Sequence, residues 1–428
     1  MKILVIGTGY VGLVTATGLA ELGHQVTAVD IDFKKINKLK KGIMPFFEPA
    51  LKPLVIRNIQ KQRLFFNINL KNFLDKSQFI FICVGTPPKR DGSADLKYIK
   101  QVVRVIGQNI KESKIIINKS TVPIGTGLII KKIIKKYFPG EINVVSCPEF
   151  LREGRAVSDF FHPDRIVIGS DNQKAIELVA NLFKKIKTEK LKTTLESAEL
   201  IKYAANAFLA TKISFINEIA NLCEKVKADV QIVATGMGLD KRIGPSFLKA
   251  GIGYGGSCFP KDIRALKQIA GGNGYHFRLL KAVIEVNYFQ RLVILKKIKL
   301  IYPRLKNKIV CVLGLAFKDL TDDVRESAAI EIIKKLIKQG AKIQAFDPQA
   351  MINAKKVLNY RIKYCQNAYE ACKNAQFLII ATEWPQFKKL NWQKIKHLMK
   401  NDIILDGRNL LDKQKIEKLG FKYIGVGR

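Results

Sequence analysis

One cysteine in the chain stands where covalent chemistry could be done: Gly251-Ile252-Gly253-Tyr254-Gly255-Gly256-Ser257-Cys258-Phe259-Pro260-Lys261-Asp262. Glycine tolerates φ > 0 and lets backbone come close to a ligand, so four glycines here predict a tight loop moulded around something bound. Lys261 and Asp262 follow Cys258 by three and four residues. They supply a cation that favours a thiolate and a carboxylate that can move protons. Against this stands the plainer reading of a glycine-rich turn with an inert, buried thiol. Two more polar residues, Lys202 and Asn206, are spaced i, i+4 in a helical pattern and so share one face. Ala198 and Ala205 beside them leave room for a ligand.

The elements that must position these groups begin at the N-terminus. Lys2–Ile6 is a β-branched strand pattern that runs into Gly7-Thr8-Gly9-Tyr10-Val11-Gly12. A helical pattern continues through Leu22 and stops at Gly23; a second strand, Gln25–Val29, ends at Asp30. This is G-x-G-x-x-G after a strand and opening a helix, with an acid roughly 20 residues on, the setting that gives the motif its meaning. Gly7 permits the turn, Gly9 lets a pyrophosphate approach, and Gly12 lets helix pack on strand. Asp30 would accept the ribose hydroxyls and repel a 2′-phosphate, which points to NAD as the cofactor. Lys35, one helical turn later, could reach the ribose or adenine side.

The strand–helix alternation continues. Phe79–Val84 ends in Gly85-Thr86-Pro87-Pro88, Lys114–Lys119 in Ser120-Thr121-Val122-Pro123, and Ile142–Ser146 in Cys147-Pro148-Glu149-Phe150-Leu151-Arg152-Glu153-Gly154. Doubly wound sheets bind ligands at such carboxyl ends, so Thr86, Thr121 and Glu153 are candidates, with turn capping as the alternative. Glu196 to Lys227 is a helical run without Gly or Pro, roughly 45 Å long at 1.5 Å per residue, long enough for a spine between domains. At Lys308–Leu313 the pattern restarts with Gly314-Leu315-Ala316-Phe317-Lys318, a helix Val324–Lys338, and a strand Ala341–Phe346. Strands Gln376–Ala381 and Asp402–Leu405 follow, the latter ending in Asp406-Gly407-Arg408-Asn409. The expected fold is α/β, two Rossmann-like doubly wound domains joined by a long central helix. Its divisions fall at 1–195, 196–300 and 301–428.

Composition narrows the class. A chain of 428 residues needs more than one core, and 47% hydrophobic with 26% charged residues is globular. No apolar run approaches the ~20 residues that span a bilayer. The first strand starts at once after Met1, which leaves no room for a signal peptide and predicts a cytoplasmic protein. Seven scattered cysteines without C-x-x-C, and four histidines without paired spacing, indicate neither a disulfide framework nor a metal site. The net charge of +38 invites a nucleic-acid reading, in which the protein would be a basic binding protein with a merely structural NAD site. The lysines, however, are spread over nearly every segment, without a basic tail, so neither nucleic acid nor membrane is an expected partner.

These motifs together resemble the nucleotide-sugar 6-dehydrogenase family over nearly the whole chain. The matching stretches are Gly7–Gly12 with Asp30, Gly85-Thr86-Pro87, Ser120–Pro123, Pro148–Glu153, Lys202 with Asn206, Gly253–Asp262, and Gly314–Lys318 with Asp322–Glu326. The resemblance implies NAD bound N-terminally, UDP bound C-terminally, and a homodimer through the long helix. It implies a double oxidation of the sugar C6 alcohol in which Cys258 traps the aldehyde as a thiohemiacetal, later a thioester. Lys202 and Asn206 would stabilise the oxyanion, Asp262 would order water or protons, Glu153 would assist hydrolysis and Thr121 would place the water. Gly7, Gly9, Tyr10, Val11, Gly12, Asp30, Lys35, Thr86, Thr121, Glu153, Lys261 and Arg325 would hold the cofactor. Glu149, Phe150, Leu151, Arg152, Glu153 and Lys202 would hold the substrate, with Phe247, Leu248, Lys249, Ala250, Gly251, Gly255 and Lys318. Arg242 would reach the neighbouring subunit's substrate.

Within that family the run Phe160-Phe161-His162-Pro163-Asp164-Arg165 resembles the UDP-glucose branch, so UDP-glucose is the expected substrate and UDP-glucuronate the product. GDP-mannose and UDP-N-acetylmannosamine are the alternatives. Phe247 with Leu248 suggests a narrow slot for stacking a base. Apolar residues on several faces of the spine (Leu200, Phe208, Phe215, Ile216, Ile219) exceed what two domains of one chain need, which also predicts a homodimer.

Overall fold

The computed structural model describes residues 1–428, the side chain of Tyr360 excepted. The chain divides into two compact units, Met1–Ala205 with Arg264–Tyr275, and Asn206–Ile263 with His276–Arg428.

The first unit carries β1 (Lys2–Ile6), β2 (Gln25–Val29), β3 (Leu64–Asn67), β4 (Phe79–Ile82), β5 (Ile115–Asn118), β6 (Asn143–Ser146), β7 (Arg165–Gly169) and β8 (Glu189–Thr193). Their spatial order is β3-β2-β1-β4-β5-β6-β7-β8, and the first six follow the Rossmann arrangement. The central strands β4 and β5, Phe-Ile-Phe-Ile and Ile-Ile-Ile-Asn, are buried at every position, as a parallel sheet covered on both faces requires. Side chains alternate between two apolar layers: Ile3, Val5 and Phe81 face one, Leu4, Ile6 and Ile82 the other. Beyond the expected pattern, β7 joins β6 antiparallel, and β8 then runs parallel to β7. Glu189-Lys190-Leu191-Lys192 makes β8 a charged outer strand, which discourages pairing with another chain.

The helix α1 (Tyr10–Glu21) opens directly after Gly9, and Gly12 to Ala20 are all buried. Further along come α2 (Thr126–Lys135) and the spine α3 (Leu195–Val226), a single helix of 32 residues. The spine ends where Lys227 turns left-handed at φ +59°.

In the second unit β9 (Ile309–Leu313), β10 (Lys342–Phe346), β11 (Lys363–Tyr364), β12 (Phe377–Ile380), β13 (Ile403–Asp406) and β14 (Lys422–Ile424) form a second sheet. Its order, β11-β10-β9-β12-β13-β14, repeats that of the first six strands. The α/β reading with two Rossmann-like sheets and a long central helix therefore holds. The largest difference in bounds is at one helix: expected from Val324, it begins at Ala328 as α5 (Ala328–Lys338), with α4 (Phe259–Gly272) lying earlier in the chain. Glu326 has φ +50°, which no helix accommodates, and Ser327 is extended, its hydroxyl donating to Leu315 O at 2.8 Å. Among the described residues no helix is long and apolar enough to cross a membrane.

Candidate active site

The glycine turn after β1 has the shape a dinucleotide needs. Gly7 sits at φ +97°, and a Cβ there would lie 2.7 Å from Cys83 O; a Cβ on Gly12 would lie 1.9 Å from Gly7 O. At Gly9 an added Cβ would meet nothing within 4 Å, so the space over the start of α1 is open. Backbone N–H groups and the helix dipole there favour a pyrophosphate. At the end of β2 the Asp30 carboxylate accepts from Thr8 N, Thr8 Oγ1 and Lys35 Nζ, each at 2.8 Å, and from Asp32 N at 3.0 Å. Burial alone would raise its pKa, but Lys35 and these donors outweigh it and hold Asp30 below the usual carboxylate range. An ionised, oriented acceptor at that position fits the ribose of NAD.

The loops after β4, β5 and β6 lie at one edge of the same unit. Thr86 Oγ1 donates to Thr121 O at 2.8 Å, and Ser120 Oγ to Val84 O at 2.7 Å, which ties the first two loops together. Glu149 pairs with Lys202 on α3, Oε1 to Nζ at 3.1 Å, with side chains 5% and 4% exposed. Glu149 also accepts from Leu151 N. Two cations lie near the Phe150 ring, the Arg165 guanidinium 3.8 Å and Lys202 Nζ 5.3 Å from its centroid. Arg152 is held by Asp159 through N, Nε and Nη2. Glu153 is buried.

In the second unit the Cys258 loop is held by side chains that satisfy its backbone. Gly251 N donates to Asn217 Oδ1 and Gly251 O accepts from Gln290 Nε2. Asn287 takes Tyr254 N and returns its amide to Tyr254 O, which also accepts from Arg291. Gly253 and Gly256 adopt φ +81° and +86°, the conformations glycine permits at least cost. The loop delivers Cys258 to the start of α4, whose first turn is closed by Asp262 N donating to Cys258 O at 2.8 Å. Pro260 suits that first turn, where its missing N–H costs nothing. The buried Asp262 carboxylate accepts from Asn206 Nδ2 at 2.7 Å and from Lys261 Nζ at 2.6 Å. Four expected residues, Cys258, Lys261, Asp262 and Asn206, are thereby assembled around one helix start. Cys258 is partly exposed, whereas the other six cysteines are buried.

Residues 1–187 match the NAD binding domain of the UDP-glucose/GDP-mannose dehydrogenase family, 196–288 its central domain, and 311–413 its UDP binding domain. The chain belongs to the UDP-glucose/GDP-mannose dehydrogenase family. A UDP-glucose 6-dehydrogenase of Bacillus subtilis, TuaD, is 48% identical over 429 residues, covering 100% of this chain and 93% of that protein. The Rickettsia conorii UDP-glucose 6-dehydrogenase is 45% identical and covers 100% and 99%. Among solved structures, a UDP-glucose dehydrogenase from Pyrobaculum islandicum superimposes with a TM-score of 0.94 at 37% identity, covering 100% of this chain and 97% of that one.

Other residues expected from the family pattern are dispersed through the second unit. Phe247 takes φ +66° and is half-buried, an unusual conformation for an aromatic residue and one that tends to mark a functional position. Leu248 and Ala250 are buried, Leu248 in a cluster with Ile216, Ala220 and Val426, so Phe247 is the side chain of the pair that reaches the surface. Lys249 is exposed, 4.0 Å from Glu383. Arg242 is exposed and held by Asp240. Lys318 Nζ lies 5.8 Å from the Phe317 ring centroid, and Arg325 is bound by Asp323.

Several residues of this dehydrogenase-family site were not singled out from the sequence. Arg408, at the end of β13, donates to Ala381 O, Gly253 O and Phe317 O. It ties the Cys258 loop to the loop before Lys318; the strand-terminal Asp-Gly-Arg-Asn run was its only signal. Glu48 accepts from Gly154 N at 2.6 Å, from Ala156 N at 2.7 Å and from the Tyr10 hydroxyl. Burial raises its pKa against those donors. It fixes the turn that follows Glu153 to the glycine motif, and nothing in Phe46-Phe47-Glu48-Pro49 announces this.

Proposed function

We propose that the protein oxidises UDP-glucose to UDP-glucuronate in two NAD-dependent steps on one active site. The observation that carries the reading is the Cys258 loop, held by Asn217, Asn287, Gln290 and Arg408, with Asp262, Asn206 and Lys261 linked beside it. NAD, when bound, supplies the hydride acceptor for each oxidation. Between the two, the Cys258 thiolate adds to the C6 aldehyde, forming a C–S bond and an oxyanion. Lys202 and Asn206 donate to that oxygen. Loss of hydride from the thiohemiacetal carbon leaves a thioester. Water adds to it and releases the acid and the thiol; the family pattern gives Thr121 the role of placing that water and Glu153 that of helping to deprotonate it. Asp262 holds the proton inventory around Cys258, its own charge balanced by Lys261.

The choice of UDP-glucose rests on the relatives and on Phe160-Phe161-His162-Pro163-Asp164-Arg165. Two measurements test the reading: NADH formed per UDP-glucose, expected at two, and kcat/KM for UDP-glucose, GDP-mannose and UDP-N-acetylmannosamine side by side. A ratio near one removes the covalent second step, and preference for either other sugar nucleotide overturns the substrate.

The assembly is a homodimer through α3. Phe208, Phe215 and Leu222 recur every seven residues and are 66%, 50% and 52% exposed, with Val226 at 62% beyond them, the spacing of a helix–helix seam. Working divisions at 1–195, 196–300 and 301–428 and a cytoplasmic location complete the proposal. The buried, unbridged Cys311 and Cys372 sulfurs, 3.6 Å apart, suit a reducing compartment.

A further inference from the structure

The loop that carries Thr121 and the helix that carries Lys202 are joined by a carboxylate that the mechanism does not use. Glu199 lies on α3 one turn before Lys202, is 2% exposed, and accepts from Gly125 N at 2.6 Å and from Gly127 N at 2.8 Å. Both donors belong to the segment just after Ser120-Thr121-Val122-Pro123, at the start of α2. The segment is shaped for this contact. Gly125 sits at φ +87°, and a Cβ on Gly127 would lie 2.9 Å from Leu195 Cδ2 and 3.4 Å from Glu199 Oε1. One turn further along, α3 also holds the Glu149 loop through the Lys202–Glu149 pair. One stretch of helix, Leu195 to Lys202, thereby grips two loops of the site.

We propose that Glu199 is a positioning residue of the dehydrogenase: its two-oxygen grip on Gly125 and Gly127 sets the Thr121 loop against the helix that presents Lys202. The inference rests on the proposed function, since it acts through Thr121 and Lys202. The grip needs the ionised form, because a protonated carboxyl offers one fewer acceptor to two N–H groups. Burial is the main cause that raises the Glu199 pKa, to about 7, with the charge of Glu196 adding to it and the Gly127 and Gly125 N–H groups opposing. Of the other charged groups on the elements around it, Lys131 of α2 pairs with Asp171 after β7, and Lys202 with Glu149; α2 also carries Lys132 and Lys135. The grip therefore tightens as pH rises through about 7.

The test is the pH profile of kcat for the full-length protein, Glu199→Gln against the parent, with NADH as readout and folding checked by circular dichroism. The parent is expected to lose kcat as pH falls through about 7. Glu199→Gln is expected to be flat across that range and lower than the parent at pH 8.5 by about tenfold to a hundredfold, the scale of a misplaced catalytic group. A folded Glu199→Gln protein with parental kcat, or with the same limb near neutrality, overturns the proposal. If that variant does not fold, Gly125→Ala decides, since it keeps the titrating group and strains the φ of +87° at which Gly125 presents its N–H to Glu199. A lower kcat with the limb retained supports the proposal, and an unchanged kcat overturns it. A parent that forms no NADH from UDP-glucose at any pH removes instead the functional reading on which the inference stands.

Discussion

Gly255→Ala is the sharpest test of the idea that the Cys258 loop is held rigid for chemistry. A methyl at this position would lie 2.2 Å from Glu326 O, 3.0 Å from Glu326 C and 3.3 Å from Phe317 Cβ. Ordinary contact begins at 3.4 Å, so something must retreat by about 1 Å. The Glu326 side is fixed by Gly256 N donating to Arg325 O and by Arg291 pairing with the Glu326 carboxylate. The loop side is fixed by Asn287 and Arg408. Whichever side yields, Cys258, three residues on, shifts with the loop or loses its support. Overpacking of this kind costs about 1–3 kcal/mol of stability. A shift of about 1 Å at a reacting group costs about a hundredfold in rate, close to 2.7 kcal/mol of barrier. The assay is kcat by NADH formation at saturating UDP-glucose, with NAD affinity measured separately by fluorescence. The expected result is kcat down about a hundredfold with NAD affinity much less affected, because most of the expected cofactor residues, the glycine motif and Asp30 among them, lie in the other unit. Gly271→Ala is the control: a Cβ there meets nothing within 4 Å, and alanine in a helix is favoured over glycine by about 1 kcal/mol. A folded Gly255→Ala protein with kcat within about threefold of the parent would refute the reasoning.

Cys258→Ser should leave NAD binding intact and abolish UDP-glucuronate formation, since a serine hydroxyl is a poor nucleophile near neutrality; undiminished acid by chromatography removes the thiol from the mechanism. Lys202→Met strands the buried Glu149 charge and should cost about 3–5 kcal/mol, lowering Tm by on the order of 10 °C. The double variant Lys202→Met/Glu149→Gln should recover much of that in calorimetry, and no recovery would show that the pair is not what was lost. Phe215→Asp places a charge in the middle of the proposed α3 seam and should convert dimer to monomer by light scattering at micromolar concentration; a dimer that persists places the interface elsewhere.

The sequence exposed those parts of the molecule whose causes are local. β1 and β2 are bounded as expected because β-branched runs meet Gly7 and Gly23, residues that end strand and helix by themselves. The Cys258 loop was readable because its glycines serve the backbone at that point. What stayed hidden depends on partners far along the chain. Glu48 acts on Gly154, 106 positions away, and Arg408 on Gly253, 155 away. A carboxylate or guanidinium on its own does not say which backbone group will arrive beside it. The start of α5 moved from Val324 to Ala328 because a left-handed Glu326 is imposed by its surroundings, and no propensity scale contains it. The antiparallel β7 lacks any signal in Arg-Ile-Val-Ile-Gly, which would serve either direction. The lysine-rich β8 has the composition of a surface helix.

The two units are interleaved in the chain: it leaves the first after Ala205, re-enters it at Arg264 and leaves it again after Tyr275. Two of those three crossings fall inside continuous helices, α3 and α4. On the ribosome the last segment of the N-terminal unit, Arg264–Tyr275, therefore emerges only after the Cys258 loop, long after the eight strands and the two apolar layers that pack on them, which end by Leu195. The core is made first and the late segment is laid on it, Gln268 Nε2 donating to Asp91 O. A fragment stopping near residue 205 should therefore fold, with the surface that Arg264–Tyr275 covers more open to protease than in the full chain.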